Sequence, residues 1–470
     1  MTSLVLFVLL FSFFAGTAAA GTTYYLAPGG SDSAPGTAAQ PWATFAGAFG
    51  RMGAGDTLIV KDGIYTNALS NPPNGTASSY TIVRSQNDGK AIIKGGGISI
   101  GSPSTSQSYI QVEGFKLVNS EVYITNSHHI KLLRTGLKNP APTDARYDRG
   151  IGIECGSHHV LLEDVWVIGS FRYGISVFES YNNILRRVVV RWDINTGQEP
   201  KAGINFYGSG SGTGCKSNST IEAAHDNLCQ NCVALDFNSG SEGGINMPHG
   251  SYNNKVYGGI FANIPSNAIS GHEQSPGGGD DVINSATVDT DGFTLRDGDS
   301  SKTDLYDHIT AVQTEYPVAY WSIYGTRPTV VIQNSLFYRN TNGPNVGDVL
   351  TNNLNATTKP QYLLRSPDGS HGATIEKRYG VDGTLWGDPG YDQLTSNNLW
   401  PWPNEQRIHD DAAEADSPSY TNTPARGFAA AGQTLTKYIW QYLGNACPTE
   451  ICSGTSDTQA PSSPKNLRTR

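Results

Sequence analysis

The chain has 470 residues, a formal net charge of −9 and only 16 % charged residues. An acidic balance of this kind argues against a nucleic-acid partner and against broad electrostatic steering of polyanions. The 54 glycines and the low charge suit a turn-rich β protein.

In chain order, residues 1–20 read as a signal peptide. An apolar run from Leu4 to Ala15 is followed by the small residues Ala18, Ala19 and Ala20, although no Lys or Arg precedes it. The competing reading is a membrane anchor, for which the run is short. No other segment is long and apolar enough to span a membrane, so the mature chain is expected to be exported, either secreted or at the cell surface.

Residues 21–97 are expected to form an N-terminal cap and the first coils. The segment from Pro41 to Phe49 has helical spacing, with Pro41 able to take the first helical position. A solenoid exposes an apolar end and unpaired strand edges, so a cap is required there.

Residues 98–343 carry a repeated strand. It reads Arg149-Gly150-Ile151-Gly152-Ile153-Glu154, then Tyr173-Gly174-Ile175-Ser176-Val177-Phe178, then Ala202-Gly203-Ile204-Asn205-Phe206-Tyr207, then Gly243-Gly244-Ile245-Asn246-Met247-Pro248. Weaker copies start at Asn267 and Asp291. The small marker residues at 150, 174, 203, 244, 268 and 292 are 24, 29, 41, 24 and 24 apart. A unit of this length with loop insertions predicts a solenoid. Alternation with period two predicts strands with one face in and one out. Each is followed by a polar turn and a second β-rich run, such as 160–167 after 149–154. Strand, turn, strand and return make one coil of a parallel β-helix.

Residues 344–452 lose the pattern and are expected to form a C-terminal cap or side-packed element. Leu435, Tyr438, Ile439, Tyr442 and Leu443 recur there at helical spacing. Residues 453–470 are linker-like and resemble the lead into a fibronectin type III module that the chain then lacks, which leaves two readings, a missing C-terminal module or a remnant tail. Six cysteines in an exported chain suggest disulfides. Cys447 with Cys452 makes a small loop. Cys215, Cys229 and Cys232 fall in the insertion between the coils at 203 and 244, which leaves Cys155 as a buried thiol. The Cys229-x-x-Cys232 spacing alternatively suits zinc.

These strands, with the stretch Tyr24 to Tyr65 as a leading coil, resemble the secreted right-handed parallel β-helix superfamily often called pectin-lyase-like. The resemblance covers about residues 23 to 340. It implies the fold and, among several activities, polysaccharide cleavage.

If the Ile, Val, Phe and Met positions point inward, three outward columns follow. The first is Asp148, Arg172, Lys201, Glu242, Ser266, Thr290. The second is Gly152, Ser176, Asn205, Asn246, Ser270, Thr294. The third is Glu154, Phe178, Tyr207, Pro248, His272, Arg296. The glycine markers would leave a shallow trough between the first two. Phe178 and Tyr207 offer rings to a sugar face. Asn205 and Asn246 can bond hydroxyls, and Glu154 and Arg296 extend the polar surface.

If the groove is catalytic, the resemblance implies the superfamily's commonest chemistry, β-elimination from a uronate, which needs a base and a cation to hold the enolate-like charge. Lys201 meets the first need, because a like-charged neighbour lowers a lysine pKa; Arg172 meets the second, next to Glu242. Arg149 is expected to face the other way. His249 and His272 are alternative proton carriers. The resemblance also implies a calcium bridge to the substrate, for which the acidic stretch containing Asp280, Asp281 and Asp291 is the candidate; the alternative is a set of solvated turns. Hydrolysis is less well supported, since Glu154 and Glu242 stand three rungs apart. The other class of reading is a non-catalytic surface or matrix protein that binds glycans or acts as a spacer. The basic run at Arg186, Arg187 and Arg191 is expected to pair with Glu163 and Asp164.

Overall fold

The computed structural model describes residues 21–139, 149–169, 171–192, 200–208, Cys215 and, with internal gaps, 223–356. Over these residues the chain adopts the all-β right-handed parallel β-helix that its repeats resemble.

One face is a ten-stranded sheet, every neighbour parallel. Its strands are Leu69–Ser70, Ile98–Ile100, Val122–Thr125, Arg149–Glu154, Tyr173–Phe178, Ala202–Tyr207, Gly243–Met247, Ile269–Gly271, Gly292–Arg296 and Tyr316–Trp321. At the interstrand spacing of ~4.8 Å, ten strands span about 43 Å. The register stacks Ile98, Val122, Ile151, Ile175, Ile204, Ile245, Ile269, Phe293 and Val318. Each is 1 % exposed or less, so the column is one continuous core. Burying each such side chain stabilises by about 1.5–3 kcal/mol, which strand alternation alone could not secure.

The second β-rich run divides in two in most coils, while Leu161–Gly169 and Ile184–Arg191 run unbroken through the same bend. His128–Leu133 and Gly136–Asn139 pair with the first and second halves of Leu161–Gly169. The bend falls where Gly114, Arg134, Asp164, Arg187 and Gly258 take positive φ between 46° and 77°. Here Arg186 meets Glu163 at 2.9 Å and Arg187 meets Asp164 at 2.6 Å, as the charge pattern predicts.

At another corner the turns are locked by a ladder of side chains. Asn183 Oδ1 accepts from Val160 N–H at 2.9 Å, Asn227 Oδ1 from Asn183 N–H at 3.1 Å, and Asn254 Oδ1 from Asn227 N–H at 3.2 Å. Asp280 and Asp304 continue it, accepting from Asn254 and Asp280 N–H at 2.6 and 3.1 Å. Each buried backbone donor thereby finds an acceptor on the next coil.

The N-terminal end is closed by the helix Phe45–Phe49. It begins later than the Pro41 signal implies. Thr44 is the N-cap and its side chain accepts from Gly47 N–H, while Asp32 holds Thr44 in place through its N–H and hydroxyl. Phe45 lies over the coil interior, 5.8 Å from Tyr65 and 6.5 Å from Phe115 between ring centroids.

At the other end the ladder continues past residue 343. Val349–Thr351 pairs with Thr329–Gln333, and Leu354–Ala356 with Leu336–Tyr338. The expected signal peptide, the helical spacing expected at 435–443, Cys447, Cys452 and the tail lie outside the described residues.

The cysteines correct two expectations. Cys155 is not a free thiol: it is bonded to Cys215, which ties the insertion after Tyr207 to the end of the Arg149–Glu154 strand. Cys229 and Cys232 are bonded to each other and so do not offer thiolates to zinc.

Candidate active site

Parallel register brings chemistry from distant sequence positions to one surface. Lys201 N–H donates to Arg172 O at 2.8 Å, and Glu242 N–H to Lys201 O at 2.9 Å. The three residues therefore stand on consecutive rungs, each one residue before a strand of the ten-stranded sheet. The second column is equally regular, running Tyr123, Gly152, Ser176, Asn205, Asn246, Ser270, Thr294 and Ala319.

A cleft of about 190 Å³ opens over these rungs. Arg172, Lys201, Glu242, Tyr207, Asn246, His249 and Arg296, all expected as site residues, line it together. Tyr173 also lines it. From Arg172 to Arg296 it crosses four rung steps, about 19 Å. The side chains of Lys201 and Glu242 keep 28 % and 30 % exposure, so the patch is open to solvent.

Lys201 Nζ lies 3.4 Å from Glu242 Oε1. The other oxygen of Glu242 accepts from Asn246 Nδ2 at 2.6 Å, and Ser270 Oγ bonds Asn246 Oδ1 at 2.9 Å. The lysine thus has a carboxylate beside it as well as the arginine that its column predicts. Burial pushes the Tyr207 phenol above its usual value; Arg172 opposes the rise and Glu242 adds to it. The hydroxyl is therefore a proton donor at neutral pH. His249 packs edge-on to Tyr207 with ring centroids 5.0 Å apart.

Other expected residues sit differently. Phe178 is 7 % exposed and stacks on Tyr207 at 5.2 Å, with the Arg149 guanidinium 5.4 Å from its centroid. Its faces are covered, so the open ring expected there is absent. Glu154 pairs with Arg149. That pair also corrects the orientation expected for Arg149, which shares the outward side with Glu154 and Phe178. Asn205 is 1 % exposed, and its amide nitrogen and oxygen are buried without a hydrogen-bond partner beneath the column. Asp148 and His272 lie outside the described residues.

The glycine markers do not form the expected trough. A Cβ on Gly150 would meet Val167 Cγ1 at 2.9 Å, on Gly174 Val190 Cγ1 at 2.7 Å, on Gly203 Phe237 Cζ at 2.7 Å, and on Gly244 Phe261 Cδ1 at 2.7 Å. The markers face the interior and make room for bulky side chains of the opposite wall. This inward step breaks the alternation, and it is why Arg149 and Tyr173 face out although strict parity puts them inside. A small residue before the alternating run, Gly at five of the six markers and Ala at 268, is the signal for it.

The acidic candidates for calcium do not converge. Asp280 belongs to the turn ladder, Asp281 lies 3.5 Å from Lys255 Nζ, and Asp291 stands before the Gly292–Arg296 strand. Burial raises the pKa of both Asp281 and Asp291, with Lys255 opposing the rise at Asp281. Among the described residues no three carboxylate, imidazole or thiolate groups are placed to hold a metal ion. Placed this way, the three aspartates form no common calcium site.

No family model and no curated protein matches the chain. Solved structures similar to it include a rhamnogalacturonan lyase, 13 % identical over 71 % of this chain and 84 % of that one, with a TM-score of 0.40. Another is a pectate lyase, 13 % identical over 62 % and 77 %, TM-score 0.40. A third is a mannuronic acid specific lyase from human gut microbiota, 12 % identical over 70 % and 82 %, TM-score 0.44. Scores at this level carry no activity across, and the fold rests on the strand register above.

Proposed function

We propose that the chain is an exported carbohydrate-active protein that cleaves an acidic polysaccharide by β-elimination in the cleft over Arg172, Lys201 and Glu242. The observation that carries the reading is the meeting, in one open cleft, of two adjacent cations, a carboxylate and a protonated phenol. Arg172 binds the uronate carboxylate and stabilises the charge that develops on it. Lys201, once substrate parts it from Glu242 and it has released its own proton to solvent, takes as the neutral amine the proton next to that carboxylate. Tyr207 hands a proton to the leaving oxygen, with His249 beside it as the alternative donor. Arg296, Asn246 and Ser270 supply polar contacts along the groove. The cleft runs across the rungs, so an extended polymer lies parallel to the solenoid axis. Among the described residues no helix is long and apolar enough to cross a membrane, which is compatible with export.

A second reading has one observation in its favour. Glu242 holds Lys201 and is itself held by Asn246, so the patch is internally neutralised and suits glycan binding without turnover.

The test is incubation of the protein with a panel of uronate polymers, with calcium and then with chelator, following the ultraviolet absorbance of the 4,5-unsaturated product. Product from the wild type and none from Lys201→Ala supports elimination. No product on any polymer overturns it, and retention of a polymer without product establishes the binding reading instead.

A further inference from the structure

The described residues carry a second cluster of chemistry-bearing side chains, at the corners after the Val122–Thr125 and Arg149–Glu154 strands, where the His128–Leu133 and Leu161–Gly169 runs begin. His128 and His129 are adjacent in sequence, as are His158 and His159. In extended backbone such neighbours point to opposite faces. Here the second member of each pair has φ of 55°, which swings it to the same outward side as the first. His128 Nδ1 and His129 Nδ1 are 2.9 Å apart, and His158 Nδ1 and His159 Nδ1 are 2.8 Å apart. The pairs stack rung on rung: His128 over His158 at 5.1 Å and 8°, His129 over His159 at 4.9 Å and 5°.

We propose that these histidine pairs form a binding site for one late first-row divalent cation of the Cu²⁺ or Ni²⁺ type, held by two cis Nδ1 atoms of one rung. Metal–imidazole bonds are about 2.0–2.1 Å long, so two nitrogens at a right angle around one ion lie about 2.9 Å apart. A tetrahedral ion needs them about 3.3 Å apart by the same bond length. The observed separations match the right angle, the arrangement of square-planar and octahedral ions, and imidazole suits both copper and nickel. Without metal each pair is joined by an N–H···N hydrogen bond. Binding requires that proton to sit on Nε2 instead, a tautomer change that leaves both rings neutral. Among the described residues no third ligand group converges, so solvent completes the coordination. Two divalent ions one rung apart repel, so the chain takes one ion tightly.

The experiment uses the full chain without a histidine tag, stripped with chelator and titrated with CuCl₂, NiCl₂ and ZnCl₂ by calorimetry, with electron paramagnetic resonance on the copper form. The expected result is one copper per chain, hyperfine coupling to two imidazole nitrogens, and zinc bound at least tenfold more weakly. The double variant His129→Asn/His159→Asn keeps a residue that tolerates the left-handed backbone, and it should weaken copper at least tenfold while melting like the wild type. His225→Asn, outside both pairs, should leave binding unchanged. The proposal is overturned if the double variant binds as the wild type does, if the copper spectrum lacks imidazole nitrogen, if zinc binds as tightly as copper, or if His225→Asn abolishes binding.

Discussion

Lys201 and Glu242 meet across consecutive rungs, side chain to side chain at 3.4 Å, although 41 residues of sequence separate them. Both are partly exposed, and a pair of this kind stabilises a fold by about 0–1 kcal/mol. A structural role and a chemical role therefore predict different outcomes. Lys201→Ala is expected to leave the melting temperature within about 2 °C of wild type, the shift such an energy produces in a chain of this size. Product formation on the responsive polymer should fall by roughly 10²–10⁴-fold, the usual contribution of a positioned base. A variant that melts early and keeps its rate would remove Lys201 from the chemistry.

Gly174 is expected to be intolerant of even one methyl group. Its Cβ would lie 2.6 Å from Gly203 O and 2.7 Å from Val190 Cγ1. Backbone on the next rung cannot retreat without breaking register. Gly174→Ala should cost about 1–3 kcal/mol as an overpacked core site, measured by denaturant unfolding. An outward trough would accept the same change with almost no cost, so a neutral result would place the column back on the surface.

The contrast between Ile175 and Gly174 shows what sequence could reveal. Ile175 repeats with Ile151, Ile204 and Ile245 at intervals that alternation converts directly into a core column, because burial rewards every member equally. The glycine beside it repeats just as faithfully, but absence of a side chain does not say which way the missing atom would point. Facing is set by Val190 and Phe237 across the coil, and those contacts come from strands whose bend depends on left-handed residues such as Asp164 and Arg187. The same conformation hides in His129 and His159, where sequence shows only two neighbours. The cleft was legible to the extent that its residues obey period two: Arg172, Lys201, Glu242, Tyr207 and Asn246 do. Tyr173 and Arg149, on the far side of the inward glycine, do not. The partner of Cys155 was not legible, because a disulfide depends on where an insertion returns.

Cys155 and Cys215 are 60 residues apart and close a loop that contains the Arg172 and Lys201 rungs. The chain-entropy account of a loop that long gives about 4 kcal/mol, with 2–4 kcal/mol typical of measured cases. Cys215→Ser should lower stability by that order in a thermal melt under non-reducing conditions. Cys155→Ser/Cys215→Ser should match the single variant, since either change opens the loop. A single variant as stable as wild type would mean that the bridge does not form in the protein in solution.

Arg187 is fully buried between Asp164 and Glu163, at 2.6 and 3.2 Å. Removing one member of such a cluster leaves charge in the interior without its partner, at a cost of about 3–5 kcal/mol. Arg187→Met should show a deficit of that size in urea unfolding at neutral pH. Acidity should then relieve it. Burial is the largest influence on Glu163 and raises its pKa, with Arg187 the strongest opposing group and Asp164 adding to the rise. Losing Arg187 removes the opposition, so the folded value climbs further above the unfolded one. A carboxyl with a raised folded pKa binds its proton more tightly in the native state, so its contribution is complete below the unfolded value and lost as pH rises through the folded value. The deficit of Arg187→Met should accordingly shrink as pH falls from neutral towards the unfolded carboxyl range. Glu163→Gln, added to Arg187→Met, should recover part of the loss at neutral pH and flatten the pH dependence. A deficit that stays constant with pH would instead assign the loss to the missing packing of the arginine stem.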